Sequence, residues 1–280
     1  MTRRIDHLVL AVHDLEAAAE FYRRLGFQVG ARNRHSWGTE NHVIQFASSF
    51  LELITVGEDG QIPPHTPHAF SFGAFVRDYL ARREGLAMFV LDSGDARADA
   101  ADYARQGIGD FAPFSFERVG RAADGTETHV AFTLAFAMDE RLPDASFFVC
   151  EQHYPEAFWS PQLQQHDNRA TNVVAVTLDA EQPAEHTEFL QGFTGVGPAD
   201  DGSTYLLAEG GRLQLETSAA GRFTGFSVGV SDLHRVATIL TAEGVPFQEL
   251  SDRVVVDSDQ AFGARIEFRT GRAQYEAAAP

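Results

Sequence analysis

The first apolar stretch, IDHLVLAV, alternates as a β-strand does, and it runs into HDLEAAAEFYRRLGF, whose apolar positions recur at helical spacing. Asp14 stands where a helix needs an N-cap, and Gly26, 12 residues later, stands where one ends. The same pattern returns in LAMFVLDSGDARADAADYARQGI, where Asp95 and Gly107 are again 12 apart, and behind GFSVGV, where Asp232 and Gly244 are. A remaining copy, NVVAVTLDAEQPAEHTEFLQGF, keeps the spacing from Ala180 to Gly192 without the aspartate. Each helix is followed by strand-like runs: HVIQFA and FLELITV, THVAFTLAF and SFFVCE, TYLLAE and RLQLET, RVVVDS and ARIEFR. Strand, helix and further strands appear four times, which predicts an α+β fold of four βαβββ modules.

Two segments interrupt the series. Residues 57–85, with PPHTPHAFSFGAF and VRDYLARREG, separate the first two modules and read as a lid or binding loop. Residues 151–169 separate the two halves, so the expected domains are 1–156, holding modules one and two, and 157–280, holding modules three and four.

Composition narrows the function. A chain of 280 residues that is 44% hydrophobic buries one large core or two ordinary ones. No apolar run approaches the roughly 20 residues that cross a bilayer. The start, MTRRIDHLVLAV, has the charge order of a signal sequence, but Asp6, His7, His13 and Asp14 interrupt it and no cleavage site follows. The single Cys150 excludes an internal disulfide framework and fits a reducing compartment, so a cytoplasmic protein is expected. Net charge is −18, from 40 acidic against 22 basic residues, and repels a phosphate backbone; no nucleic-acid partner is expected. Every basic residue of that set is arginine, which removes Schiff-base and phosphate-loop lysines.

The remaining chemistry centres on polar side chains within apolar strands. His7 falls between Ile5 and Val9 on one face by alternation, and Glu52 falls between Phe50 and Ile54. Either is costly to bury without a partner or a metal. A neutral imidazole and a carboxylate suit a divalent transition metal, and a hydrogen-bonded His–Glu pair would satisfy both groups as well.

The run IDHLVLAVHDLEAAAEFYRRLGF, closed by FLELI, resembles the opening module of the vicinal-oxygen-chelate superfamily. RHSWGTENHVIQF and CEQHYPEAFWSPQLQQHDNRATN resemble the glyoxalase-like domain proteins within it, with Glu151 inserted and Arg169 where glycine is usual. The resemblance implies two glyoxalase-like domains with cupped mixed sheets. It also implies a divalent metal (Zn, Mn, Fe, Ni or Mg) held by His7 and Glu52, and lyase or isomerase chemistry on a small substrate with vicinal oxygens. Glu52 would also shuttle a proton. The superfamily also contains extradiol dioxygenases and metal-free, drug-sequestering proteins of the bleomycin-resistance type; 23 Phe, 6 Tyr and 2 Trp could line the cleft of such a binder.

A third metal ligand is less determined. Positions seven before the other caps are Met88, Val173 and Gly225. Glu267 would serve if modules one and four share a cup, His129 or His153 if the first two modules pair, and otherwise water. His35, Trp37, Glu40 and Asn41 read as a pocket rim for a small-molecule substrate. Trp159 and His166 read as further substrate contacts or as anchors of a structured linker. Cys150, in SFFVCE, reads as an inert core thiol. Four modules complete two cups in one chain, so a homodimer is possible but not required.

Overall fold

The structure, a computed structural model, describes residues 2–58, 60–121 and 127–270. The last ten residues of the expected second domain, 271–280, lie outside them. The first module comprises β1 (Ile5–Ala11), α1 (Leu15–Arg24), β2 (Asn33–Arg34), β3 (Thr39–Gln45) and β4 (Phe50–Val56). After an inserted helix α2 (Phe72–Leu80), the second comprises β5 (Gly85–Asp92), α3 (Ala96–Gln106), β6 (Phe114–Arg121), β7 (Glu127–Ala137) and β8 (Ser146–Gln152). A short turn of helix, α4 (Pro155–Phe158), leads to the third module: β9 (Ala170–Ala180), α5 (Thr187–Thr194), β10 (Thr204–Leu206) and β11 (Arg212–Thr217). The fourth holds β12 (Arg222–Val230), α6 (Leu233–Ala242), β13 (Gln248–Glu249), β14 (Arg253–Val256) and β15 (Arg265–Thr270).

The caps follow the sequence pattern. Asp14, Asp95 and Asp232 accept from the backbone N–H of Ala17, Ala98 and Arg235 at 2.9–3.0 Å, contacts worth about 1 kcal/mol each. The degenerate copy differs. Without an aspartate cap, α5 is entered through a 3₁₀ turn, Pro183–His186, and it ends at Gly195 (φ 75°) rather than at Gly192. Gly192 lies inside the helix, where a Cβ would come within 2.7 Å of Gln106 Oε1 and 3.0 Å of Ile108 Cδ1. This third module also shows one strand fewer after its helix among the described residues.

Modules pair consecutively. One eight-stranded sheet has the order β2-β3-β4-β1-β5-β8-β7-β6, and a seven-stranded sheet has the order β10-β11-β9-β12-β15-β14-β13. At the centre of each, the first strands of two modules run antiparallel, β1 beside β5 and β9 beside β12, each flanked by a parallel strand of its own module. The two sheets share a core on one side: Leu8, Leu10, Phe89, Phe147 and Val149 pack with α1, α3 and α5 against Val176, Phe223 and Phe226.

The other face of the first sheet is the cup. Val9, Ala11, Ile54, Met88, Val90, Phe148 and Cys150 form a separate apolar cluster there. The inserted α2, capped by Ser71 on Ala74 N, lays Phe72, Val76, Tyr79 and Leu80 into that cluster. The helical part of the insertion is therefore a packed wall of the cup. The corresponding face of the second sheet carries Glu267 ion-paired to Arg253, Arg265 and Arg269, a charged lining in place of an apolar one. Among the described residues no helix is long and apolar enough to cross a membrane.

Candidate functional site

Strand parity decides which residues reach the cup. His7 and Val9 face it, and Glu52 lies beyond Val9 on the neighbouring β4. Ile5, expected on the same face as His7, packs instead in the shared core, because the β1–β5 register shifts between Ile5 and His7. That irregularity at Asp6 lets two consecutive residues cooperate. Asp6 Oδ2 lies 2.7 Å from His7 Nδ1, so the carboxylate accepts and Nδ1 carries the proton. Gln152 Nε2 donates to the other Asp6 oxygen at 2.9 Å, with Arg4 3.5 Å away. The His7 ring stacks on Phe50 at 4.1 Å, which leaves Nε2 as its one free polar atom.

A cavity of about 60 Å³ opens in front of these groups, with His7, Glu52, Asn41, His35, Arg118 and Cys150 as its polar lining. Its walls are aromatic: Trp37, Phe50, Phe72, Phe116, Phe132, Phe148 and Phe158. His7 and Glu52 are 4% and 6% exposed, so both are held out of bulk water. Asn41 Nδ2 donates to Glu52 Oε1, and His35 Nε2 stands 3.9 Å from the same oxygen. His35 stacks on Trp37 at 4.4 Å and bonds Thr39 through Nδ1. Burial pushes the His35 imidazole below its ordinary pKa, with Glu52 opposing and Arg118 reinforcing, so it is neutral at pH 7. Trp37 Nε1 is a buried donor without a partner among the described residues.

Several expected site residues lie elsewhere. Glu40 alternates with Asn41 on β3, faces away from the cup and pairs with Arg32 and Arg34. His153 bonds Thr133, which alternates with the cavity-lining Phe132 and Leu134 and therefore faces outward; His129, of the same parity, pairs with Glu117. Glu267 belongs to the second sheet. Trp159 stacks edge-on behind Phe50 and Phe158 without lining the cavity. His166 is buried beneath the first sheet, where Nδ1 accepts from Gln28 N and Nε2 meets Gln45 O, each at 2.9 Å. Arg118, Phe116 and Phe72 were not anticipated; the alternation Phe114–Phe116–Arg118 in FSFERVG was the available signal.

These residues do not fit a resident ion held by His7, Glu52 and a third protein ligand. The pseudo-symmetric positions in the second module are apolar: Val9 pairs with Glu52 where Val90 pairs with Phe148, and Met88 stands where His7 does. Among the described residues one possible ligand cluster exists, Asp6, His7 and Cys150, with ligand atoms within 4.8 Å of one another, and Glu52 is not part of it. Burial first, then Asp6 and Glu52, push the Cys150 thiol well above its ordinary pKa. A wider groove of about 480 Å³, between Phe70, Phe75, Phe111 and Met138, carries His65, Asp139, Glu140 and Ser146 in its lining, and Asp139 is already committed there to Arg141 and His186.

Paired βαβββ modules rolled around a buried cavity define a protein of the vicinal-oxygen-chelate superfamily. Residues 5–194 match the glyoxalase-like domain family, and the chain belongs to that family. Comparison with curated protein sequences gives no match. Among solved structures, a hypothetical protein from Staphylococcus aureus is similar over 97% of this chain and 100% of its own, with TM-score 0.67 and 12% identity. A mutant 4-hydroxymandelate synthase from Streptomyces coelicolor matches over 96% of this chain and 93% of its own, with TM-score 0.59 and 14% identity. An extradiol ring-cleaving dioxygenase from B. fuscum matches over 96% of this chain and 72% of its own, with TM-score 0.57 and 13% identity. At such identities the likeness is one of fold.

Proposed function

We propose that the chain is an enzyme that moves a proton on a small substrate with vicinal oxygens, bound in the first cup, in lyase or isomerase chemistry. The observation that carries this reading is a buried carboxylate, Glu52, opening on the same water-poor cavity as a histidine oriented by Asp6. Glu52 takes a proton from the carbon beside a carbonyl, and the electron pair passes to the carbonyl oxygen. The Trp37 indole N–H suits that oxygen as a donor, and His7 Nε2 suits a second substrate hydroxyl. Aromatic walls exclude water and hold the substrate in place. No step is routed through a metal, because the protein ligands for one do not converge on Glu52. That disagreement also stands against extradiol cleavage, which needs a metal with three protein ligands.

The test is solvent deuterium uptake followed by NMR, with 2-hydroxyketones, 2-oxoacids and hemithioacetals. Wild type is expected to exchange at least one of them, and Glu52→Gln to lose about 10²–10⁴-fold in rate. Exchange that survives in the variant would remove Glu52 from the chemistry. The seven aromatic walls favour a second reading, a small-molecule binding protein. Tight binding of a compound that is never turned over would support it.

A further inference from the structure

We propose that Arg118 anchors the carboxylate of a short 2-oxo or 2-hydroxy acid in the first cup, an inference that rests on the proton-transfer reading above. Arg118 lies on β6 and lines the cavity beside Phe116. Strands β2 and β6 are the opposite edges of the eight-stranded sheet, and the sheet curls until Arg118 Nη1 donates to Asn33 Oδ1 of β2 at 2.6 Å. That partner is a neutral amide. Among the described residues no carboxylate oxygen comes within 4.0 Å of the guanidinium; Glu52, whose charge it feels, lies beyond that distance. In a chain with 40 acidic residues for 22 arginines, half-buried arginines without one are few, Arg118 and Arg222 among the described residues; of the two, Arg118 lines the cavity. A guanidinium withdrawn from water needs a compensating anion, and its fork of donors matches a carboxylate.

The geometry also fixes the other end of the ligand. Asn33 Nδ2 donates to Asn41 Oδ1 at 3.1 Å, and Asn41 Nδ2 donates to Glu52 Oε1. Arg118 and Glu52 are thus linked through two asparagines, Asn33 and Asn41. A ligand spanning them presents its carboxylate to Arg118 and a carbon-bound hydrogen to Glu52. The cavity of about 60 Å³ is well below the roughly 150 Å³ that encloses a benzene ring, so the enclosed part of the ligand is a few non-hydrogen atoms. A 2-oxo or 2-hydroxy acid has the two adjacent oxygens within that size, one on the carboxylate and one on the next carbon.

The experiment is a ligand-observed NMR titration of the full chain with pyruvate and with pyruvamide, its uncharged isostere. Wild type is expected to bind pyruvate about ten- to a hundredfold more tightly, Arg118→Met to erase the difference, and Arg118→Lys to restore part of it. Equal affinities in wild type, failure of both probes to bind, or a preference that survives Arg118→Met with the fold intact by circular dichroism would overturn the anchor. Glu52→Gln separates the two ideas. If it keeps the pyruvate preference while deuterium exchange stops, both stand; if exchange continues in it, the proton-transfer reading falls and the anchor remains.

Discussion

Asn41 Nδ2 donates to Glu52 Oε1 at 2.5 Å, and the two side chains meet diagonally across β3 and β4, where Val43 rather than Asn41 is the register partner of Glu52. The amide is oriented by its other bond, from Asn33, so its donor is committed to the acid. Asn41→Leu leaves a buried carboxylate oxygen without that partner. The expected loss is about 1–3 kcal/mol in urea unfolding. A change near zero would mean that water already serves Glu52 in the folded chain.

Cys150 lines the cavity yet is 3% exposed. Its thiol is held protonated by burial and by the neighbouring Asp6 and Glu52 carboxylates, and the thiolate is the reactive form. Native protein at pH 8 is expected to resist Ellman's reagent and to release one equivalent of chromophore once denatured. Rapid labelling of native protein would show that the cavity opens widely around Cys150.

With Met88 and Phe148 at the positions where a second module could supply ligands, metal content by plasma mass spectrometry is expected well below one equivalent after purification without added metal. Glu267→Ala and His153→Ala are expected to leave it unchanged, since neither side chain reaches the cup. One equivalent of a transition metal, lost in both His7→Ala and Glu52→Ala, would show that the cavity rearranges to complete a site.

His166 accepts from Gln28 N through Nδ1, so its second proton has no place in the folded chain. Burial lowers its pKa below the ordinary 6.5, against the opposing pull of Gln45 O and Asp167. A depressed histidine leaves stability intact above the unfolded value. Stability is lost as pH falls below 6.5 toward the folded value, because the unfolded chain takes up the proton first. Between pH 8 and pH 5, wild type is expected to lose more unfolding free energy than His166→Gln, which starts lower at pH 8. Parallel losses in the two proteins would assign the acid sensitivity to other groups.

The module count, the helix limits at Asp14, Asp95 and Asp232, and the position of His7 and Glu52 within apolar strands were all legible in the residues. Local rules suffice for these: a cap side chain bonds a backbone three residues away, and alternation assigns a face within one strand. The rule failed where pairing with another strand overrode it. Ile5 and His7 are two apart yet face opposite ways, because the irregularity at Asp6 is set by the match to β5. Glu40, His129 and His153 were legible in principle from parity, once the neighbouring cavity-lining residues were known.

What the sequence by itself determined is a set of repeated modules and a polar pair inside apolar strands, since periodicity and capping act over a few residues. Only the tertiary structure decided that consecutive modules pair, which removed Glu267 from the cup and brought β6 round to β2. The arginine at residue 118 and the asparagine at residue 33 are separated by the full width of a sheet in strand order and meet at 2.6 Å because the sheet curls. Curvature is the sum of twists and packing across eight strands, including the α2 helix laid into the cup, and no local stretch of residues encodes that sum.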